Sequence, residues 1–108
     1  MNLIYSKNEF NIYKSNDDGY IVHNTKKKFA DGHSHIRTFN QSRYIVEMVT
    51  HKRVPNHLSI YLLTSLIRIS NDEIYQEKIQ GLIDSKKNRG QQFYTNNMKN
   101  KYKFQRNS

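Results

Sequence analysis

The hydrophobic period of the chain changes at Asn40, and this change restricts the fold more than any other feature. Before Asn40, apolar and polar residues alternate over residues 9–15, and the segment YIVHNT that follows a turn at NDDG is aromatic and β-branched. Such patterns are typical of strands, and Gly19 gives the turn access to positive φ. The sequence therefore predicts a β-hairpin, to which residues 33–39 can add a third antiparallel strand after a turn at ADG.

After Asn40, apolar residues recur every three or four positions, which is the period of an amphipathic helix. The pattern predicts three helices over about residues 41–53, 57–69 and 71–87. The middle helix has the widest apolar surface and is expected to be the most buried of the three.

Residues at the predicted helix ends favour starts and stops at these positions. Asn40 and Asn56 are suitable N-caps for the first two helices, and Pro55 separates them. Ser70 and Glu73 have the spacing of a capping box at the third helix, which Gly90 is expected to end.

The expected fold is α+β: a small antiparallel hairpin or three-stranded meander over about residues 9–39, followed by three helices. A chain of 108 residues suffices for one core, so residues 1–90 are expected to form a single domain. Residues 91–108 are polar and basic and lack an apolar stripe, which predicts a flexible tail containing aromatic residues.

The chain carries 18 Lys and Arg against 9 Asp and Glu, a formal net charge of +9 that favours polyanionic partners. No acid follows Asp84, so the positive charge is concentrated toward the C-terminal end. Part of it can reflect genome composition, because Asn, Lys, Ile and Tyr are abundant and have A/T-rich codons. The absence of cysteine and of a long apolar segment predicts a protein of the bacterial cytoplasm without a membrane anchor.

The segment DGHSH is the only part of the sequence that resembles catalytic chemistry. On a strand, His33 and His35 would point to one face, where both imidazoles could reach one metal ion. His23, His51 and His57, with Asp31, are the only candidates for completing such a site. The simpler interpretation is a turn followed by two polar strand residues beside a binding surface, without metal, cofactor or catalytic role.

Basic and aromatic residues are better candidates for function, because cations neutralise phosphates and aromatic rings stack on unpaired bases. Three basic groups lie in the turn after the hairpin, at the end of the first helix and in the tail. Together with the two histidines, the predicted binding residues are Lys26, Lys27, Lys28, His33, His35, Lys52, Arg53, Lys99, Lys101, Tyr102, Lys103, Phe104 and Arg106. The alternative for the tail is a solvated, solubilising terminus.

The stretch GYIVHNTKKKFADGHSHIRTFNQSRYIVEMV, with KRVP after it, resembles short orphan-type proteins of phages and mobile elements of low-GC bacteria. The resemblance implies a role such as anti-CRISPR-like inhibition of a host defence nuclease by stoichiometric binding. The expected protein is thus a non-enzymatic monomer or small homo-oligomer that binds a host nuclease or ribonucleoprotein, RNA or DNA. Two alternatives are a standalone RNA- or DNA-binding regulatory module and a small metal-dependent nuclease using His33 and His35.

Overall fold

The computed structural model describes residues 1–97 of the chain, and the side chains of residues 1–88. A four-stranded antiparallel sheet, in the order β1-β2-β3-β4, precedes three long helices. The elements are β1 (Asn2–Lys7), β2 (Phe10–Lys14), β3 (Tyr20–Asn24), α1 (Phe29–Gly32), β4 (His33–Ile36), α2 (Phe39–Thr50), α3 (Ile60–Ile69) and α4 (Glu73–Asn97).

The register of the strands separates the sheet into two faces. Ile12 of β2 lies opposite Val22 of β3, and Val22 lies opposite Ser34 of β4, so these three side chains share one face. All three are buried, together with Phe10 and Ile36 of the same face. This inner face of the sheet is therefore the one that packs against the helices.

Helix α3 contributes most to the core, as its apolar sequence predicts. Leu63, Leu66 and Ile69 are fully buried, and α3 packs against β4 on one side and α4 on the other. Ile45 of α2 and Ile79 of α4 complete the same hydrophobic cluster. The burial of whole aliphatic side chains contributes about 1.5–3 kcal/mol each, so this cluster is the main source of stability.

The predicted α+β fold, with an antiparallel sheet followed by three helices, is confirmed. The sheet has one strand more than the hairpin or three-stranded meander expected, because Asn2–Lys7 pairs with β2. A register irregularity between Leu3 and Tyr5 interrupts the alternation of β1, which explains why the period gave no signal there. The predicted ADG turn is the end of the single-turn helix α1.

The helices begin at caps other than those predicted. Thr38, not Asn40, caps α2, since its side chain accepts from the Gln41 amide at 3.0 Å. Ser59, not Asn56, caps α3 through the Leu62 amide. Because Ser, Thr, Asn and Asp cap almost equally well, neighbouring candidates cannot be separated by residue type alone.

The predicted capping box at Ser70 is replaced by a cap two residues later. The Asp72 carboxylate accepts from the Tyr75 amide at 3.0 Å, and Ser70 instead accepts from the Asp72 amide. Ser70 has an extended backbone as the C-cap of α3, so it ends one helix instead of starting the next.

Gly90 does not end the last helix, because α4 runs past it to Asn97. A glycine weakens a helix interior by only about 1 kcal/mol, and the two glutamines after it are good helix formers. The C-terminal part of the predicted tail, residues 98–108, lies outside the described residues. Across residues 1–97, no helix is both long and apolar enough to cross a membrane.

Buried polar groups join the carboxyl end of α3 to β3. Asn24 is fully buried, and its amide nitrogen donates to the Ile69 carbonyl at 2.8 Å and to the Asn71 side chain at 2.9 Å. Its side-chain oxygen accepts from the Lys26 amide. One side chain thus fixes the end of a strand to the end of a helix 45 residues away.

We expect Asn24→Ala to lower the free energy of unfolding by about 2–3 kcal/mol, because it leaves a buried carbonyl and a backbone amide without partners. Urea denaturation monitored by circular dichroism measures the change. Asn71→Ala is the matched control and should cost less than about 0.5 kcal/mol, since the exposed partner is replaced by water. Equal losses in the two variants would contradict the role of Asn24.

We also expect Thr38→Ala and Ser59→Ala each to lower the free energy of unfolding by about 1 kcal/mol, because each removes an N-cap acceptor. Asn40→Ala and Asn56→Ala are controls of the same kind, two and three positions away from these caps, and should change the free energy of unfolding little. Thermal and urea unfolding of the four variants checks the assignment. A larger loss of stability in Asn40→Ala or Asn56→Ala would show that the residues predicted from the sequence are the N-caps.

Candidate functional site

The outer face of the sheet is the face turned away from the helix core. Strand register places Asn11 opposite His23 and His23 opposite His33, while Ile21 lies between Tyr13 and His35. Pairing of β1 with β2 adds two further residues to this face. The outer face is therefore defined by eight side chains: Leu3, Ser6, Asn11, Tyr13, Ile21, His23, His33 and His35.

Four rings at one end of this face form a continuous cluster. Phe29 of α1 stacks on His33 with ring centroids 4.2 Å apart and planes 8° apart. His23 lies 5.2 Å from Phe29, and His35 lies 5.1 Å from His33. We call His23, Phe29, His33 and His35 the ring cluster. Phe29 is 41% exposed and His35 is also exposed, so the cluster borders solvent.

Helix α1 holds Phe29 over the sheet because it packs closely on the chain before it. A Cβ at the buried Gly32 would lie 2.5 Å from the Lys27 Cβ, so only glycine permits this approach. Arg68 of α3 donates from Nε to the His33 carbonyl at 2.8 Å and from Nη2 to the Ala30 carbonyl at 3.0 Å. The guanidinium thus ties α1 and β4 to α3.

Hydrogen bonds determine which nitrogen of two imidazoles carries a proton. His33 donates from Nδ1 to the Phe29 carbonyl, and His23 donates from Nε2 to the Lys27 carbonyl at 3.0 Å. A carbonyl only accepts, so these two nitrogens are the protonated ones. Nε2 of His33 and Nδ1 of His23 are left as the nitrogens that can meet a ligand.

The three lysines before α1 differ in their environments. Lys27 donates from Nζ to the Arg68 and Ser70 carbonyls, at 3.0 and 3.1 Å, so its half-buried side chain is held against the end of α3. Lys26 and Lys28 are exposed, and their ammonium groups make no hydrogen bond or ion pair with the residues described. These two remain as cations beside the ring cluster.

Lys52 and Arg53 lie where α2 ends. Lys52 has a left-handed backbone with φ of 55°, and the Arg53 amide donates to the Met48 carbonyl, as in a Schellman motif. The Lys52 ammonium group lies 3.3 Å from the Asp72 carboxylate. The Tyr75 amide, and then Lys52, hold the pKa of Asp72 below its usual value.

Tyr75 completes the contact between this segment and α4. Its hydroxyl donates to the Arg53 carbonyl at 2.7 Å, and burial raises its pKa, so the phenol remains neutral. Arg53 also borders an open cleft of about 500 Å³ that includes Tyr44, Met48 and His57. Within the cleft the Tyr44 hydroxyl lies 3.3 Å from Nε2 of His57.

Two of the predicted basic groups contact the same short segment, residues 70–72, which links α3 to α4. Lys27 binds the Ser70 carbonyl, and Lys52 binds Asp72. Residues 26–28 and residues 52–53 therefore both border this segment, although they belong to different elements. Lys99, Lys101, Tyr102, Lys103, Phe104 and Arg106 lie outside the described residues.

Sequence reasoning did not select Tyr13 or Phe29 as site residues, and it considered His23 only as a further ligand of a metal site. The alternation that placed His33 and His35 on one face also places Tyr13 and His23 on it, once the pairing of β2, β3 and β4 is known. Phe29 gave no signal, because its position depends on the packing of α1. Within residues 1–97 there is no group of three His, Cys, Asp or Glu side chains that could hold a metal ion.

Comparison with known proteins identifies no relative: no family model matches the chain, and no curated protein or solved structure is significantly similar to it. The resemblance to small phage proteins therefore remains a prediction.

We expect Arg68→Ala to raise the hydrogen-exchange rate of the amides of residues 33–36 roughly tenfold, which corresponds to about 1.4 kcal/mol of local stability. The physical reason is the loss of two charge-assisted bonds to carbonyls of α1 and β4. Arg37→Ala, at an exposed arginine just after β4, is the control. Unchanged exchange in Arg68→Ala would show that packing alone holds this edge.

Proposed function

We propose that the protein is a small, non-enzymatic binding protein that engages an assembly containing nucleic acid. In its most specific form, the proposal is stoichiometric inhibition of a bacterial defence nuclease, as anti-CRISPR proteins do, in the bacterial cytoplasm. The outer face of the sheet and the lysines beside it are the proposed contact surface. The basic residues of the tail are proposed to add to the same interaction.

The observation that carries this proposal is a pair of exposed cations, Lys26 and Lys28, which have no ion-pair partner among the described side chains and lie beside a sheet face without acids. None of the eight residues that define the outer face is Asp or Glu. One exposed acid, Asp31 of α1, lies next to the ring cluster, whereas Glu47 is bonded to Lys7 and Asp72 to Lys52. A sheet face without carboxylates, with two exposed cations beside it, favours phosphate groups over a neutral partner.

Binding fits the histidines better than catalysis does. In both His33 and His23, one ring nitrogen donates a hydrogen bond to a backbone carbonyl, and the ring itself contacts Phe29. Such fixed rings suit recognition by stacking and hydrogen bonding. A metal-dependent nuclease would need a third ligand that reaches the same ion as His33 and His35, and among the described residues no group of three His, Cys, Asp or Glu side chains could hold one.

The alternative proposal is a standalone RNA- or DNA-binding module, and the ring cluster favours it because rings can contact bases directly. The two functions differ in their partners. A module binds free nucleic acid, whereas an inhibitor binds the nuclease complex and reduces cleavage to zero at a fixed molar ratio. Titration of the protein into purified RNA-guided nucleases, with cleavage as the readout, tests the inhibitor.

We expect Lys26→Ala with Lys28→Ala to weaken binding to nucleic acid or to the complex, and to reduce the slope of log affinity against log salt by about 1.4 for two phosphates on a single strand. The matched control is Lys86→Ala with Lys87→Ala, which removes the same charge from α4. Fluorescence anisotropy over a salt series measures both. Identical losses in the two double variants would mean that net charge, not this surface, attracts the ligand.

A further inference from the structure

We infer that the outer face of the sheet binds unpaired bases of a single-stranded nucleic acid, which stack on the ring cluster and on Tyr13. This inference rests on the proposed function and specifies the form of the nucleic acid. It is distinct from the electrostatic contact of the lysines, which would attract single strands and duplexes alike.

The ring cluster already contains a stack of two rings, which a bound base would extend. The parallel planes of Phe29 and His33, 4.2 Å apart, form a stack of two rings at the border of solvent. Every base has a flat π face, so an unpaired base can extend such a stack whatever its identity. Each base stacked on an aromatic side chain strengthens binding by roughly 5- to 150-fold.

The residue at the centre of the outer face is apolar and covered by its neighbours, so the accessible rings lie on either side of it. Ile21 lies directly between Tyr13 and His35 on neighbouring strands and is only 5% exposed. Neighbouring strands are about 4.8 Å apart, so Tyr13 and His35 are separated by about 10 Å across this apolar residue. The face therefore offers ring contacts on three strands with no charge between them.

Polar atoms of the ring cluster are placed to hydrogen-bond with the edges of bases. Because Nδ1 of His33 is bonded to the Phe29 carbonyl, its Nε2 is the nitrogen available to a ligand. The ring orientation is thus fixed before binding, which limits the entropy lost when a base is bound. Lys26 and Lys28 lie next to the cluster in sequence, where they can contact the phosphates that link successive bases.

A duplex fits this surface poorly. Double-stranded DNA is read in its grooves by an inserted helix or ribbon, and its bases are already stacked and paired. The outer face presents a sheet with one short helix, α1, whose four residues are too few to lie along a groove. The three long helices pack on or beyond the inner face. Single strands are therefore the form of nucleic acid that the rings select.

The test is fluorescence anisotropy with labelled oligo(dT), oligo(U) and a mixed-sequence duplex, each of about 12 nucleotides, a length within the usual site size. We expect the full chain to bind the single strands at least tenfold more tightly than the duplex. Oligo(U) and oligo(dT) show whether the natural strand is RNA or DNA. The two single strands test one shared chemistry, the unpaired base.

Variants of the ring cluster separate stacking from charge. We expect Phe29→Leu, which keeps apolar volume in α1, to weaken single-strand binding about tenfold without changing the salt slope. His33→Gln should act in the same direction. Ile74→Ala removes an exposed apolar residue of α4, 68% exposed, and should have no effect. Circular dichroism and thermal unfolding confirm that each variant is folded.

Equal affinity for single strands and duplex, or full affinity in folded Phe29→Leu, would overturn this inference. If such binding still depended on Lys26 and Lys28, the proposed function would stand without it. Inhibition of a nuclease complex by a protein that binds no free oligonucleotide would likewise exclude base stacking and retain the inhibitor.

Discussion

The carboxyl end of α3 imposes the constraint that the rest of the structure satisfies. A helix leaves its last carbonyls without partners inside the helix, and here the Ile69 carbonyl is buried and its neighbours at Ile67 and Ser70 are partly buried. The Ile67 carbonyl accepts from Gln76, that of Arg68 from Lys27, that of Ile69 from Asn24, and that of Ser70 from both Lys27 and Gln76. The carboxyl end of α3 is thus stabilised by side chains from β3, from the turn after β3 and from α4.

The geometry of the outer face follows from that requirement. Because Lys27 is held by two carbonyls of α3, its side-chain stem is fixed, and α1 packs on it through Gly32. This position of α1 brings Phe29 over His33. The ring cluster is therefore rigid for a reason that lies in the core, although it is itself at the surface. Rigid rings lose little entropy on binding, which is the advantage of such an arrangement for recognition.

The parts of the fold that could be predicted are those with a repeating period. Alternation gave the hairpin and placed His33 and His35 on one face, and the period of 3.6 gave three helices. The remaining parts depend on single contacts between distant residues. Asn24 and Ile69 are 45 positions apart, and Lys27 and Arg68 are 41 apart. No local pattern distinguishes these residues from their exposed neighbours Thr25, Lys26 and Lys28. The same limit applies to Phe29, whose role depends on where α1 packs.

Basic residues counted together in the sequence have three different roles in the structure. Lys7 and Lys52 are paired with carboxylates, so they add little to the field outside the protein. Lys27 and Arg68 each donate to two neutral carbonyls, so part of their donors is used and their side chains are held in place while their positive charge persists. Lys26 and Lys28 have both charge and free donors. A charge acts over about 8 Å at physiological salt, whereas a hydrogen bond needs a free donor within about 3 Å. Around the ring cluster, Lys27 and Arg68 can therefore attract a phosphate chain, while Lys26 and Lys28, whose ammonium groups bind none of the described residues, are the cations best able to bind it directly.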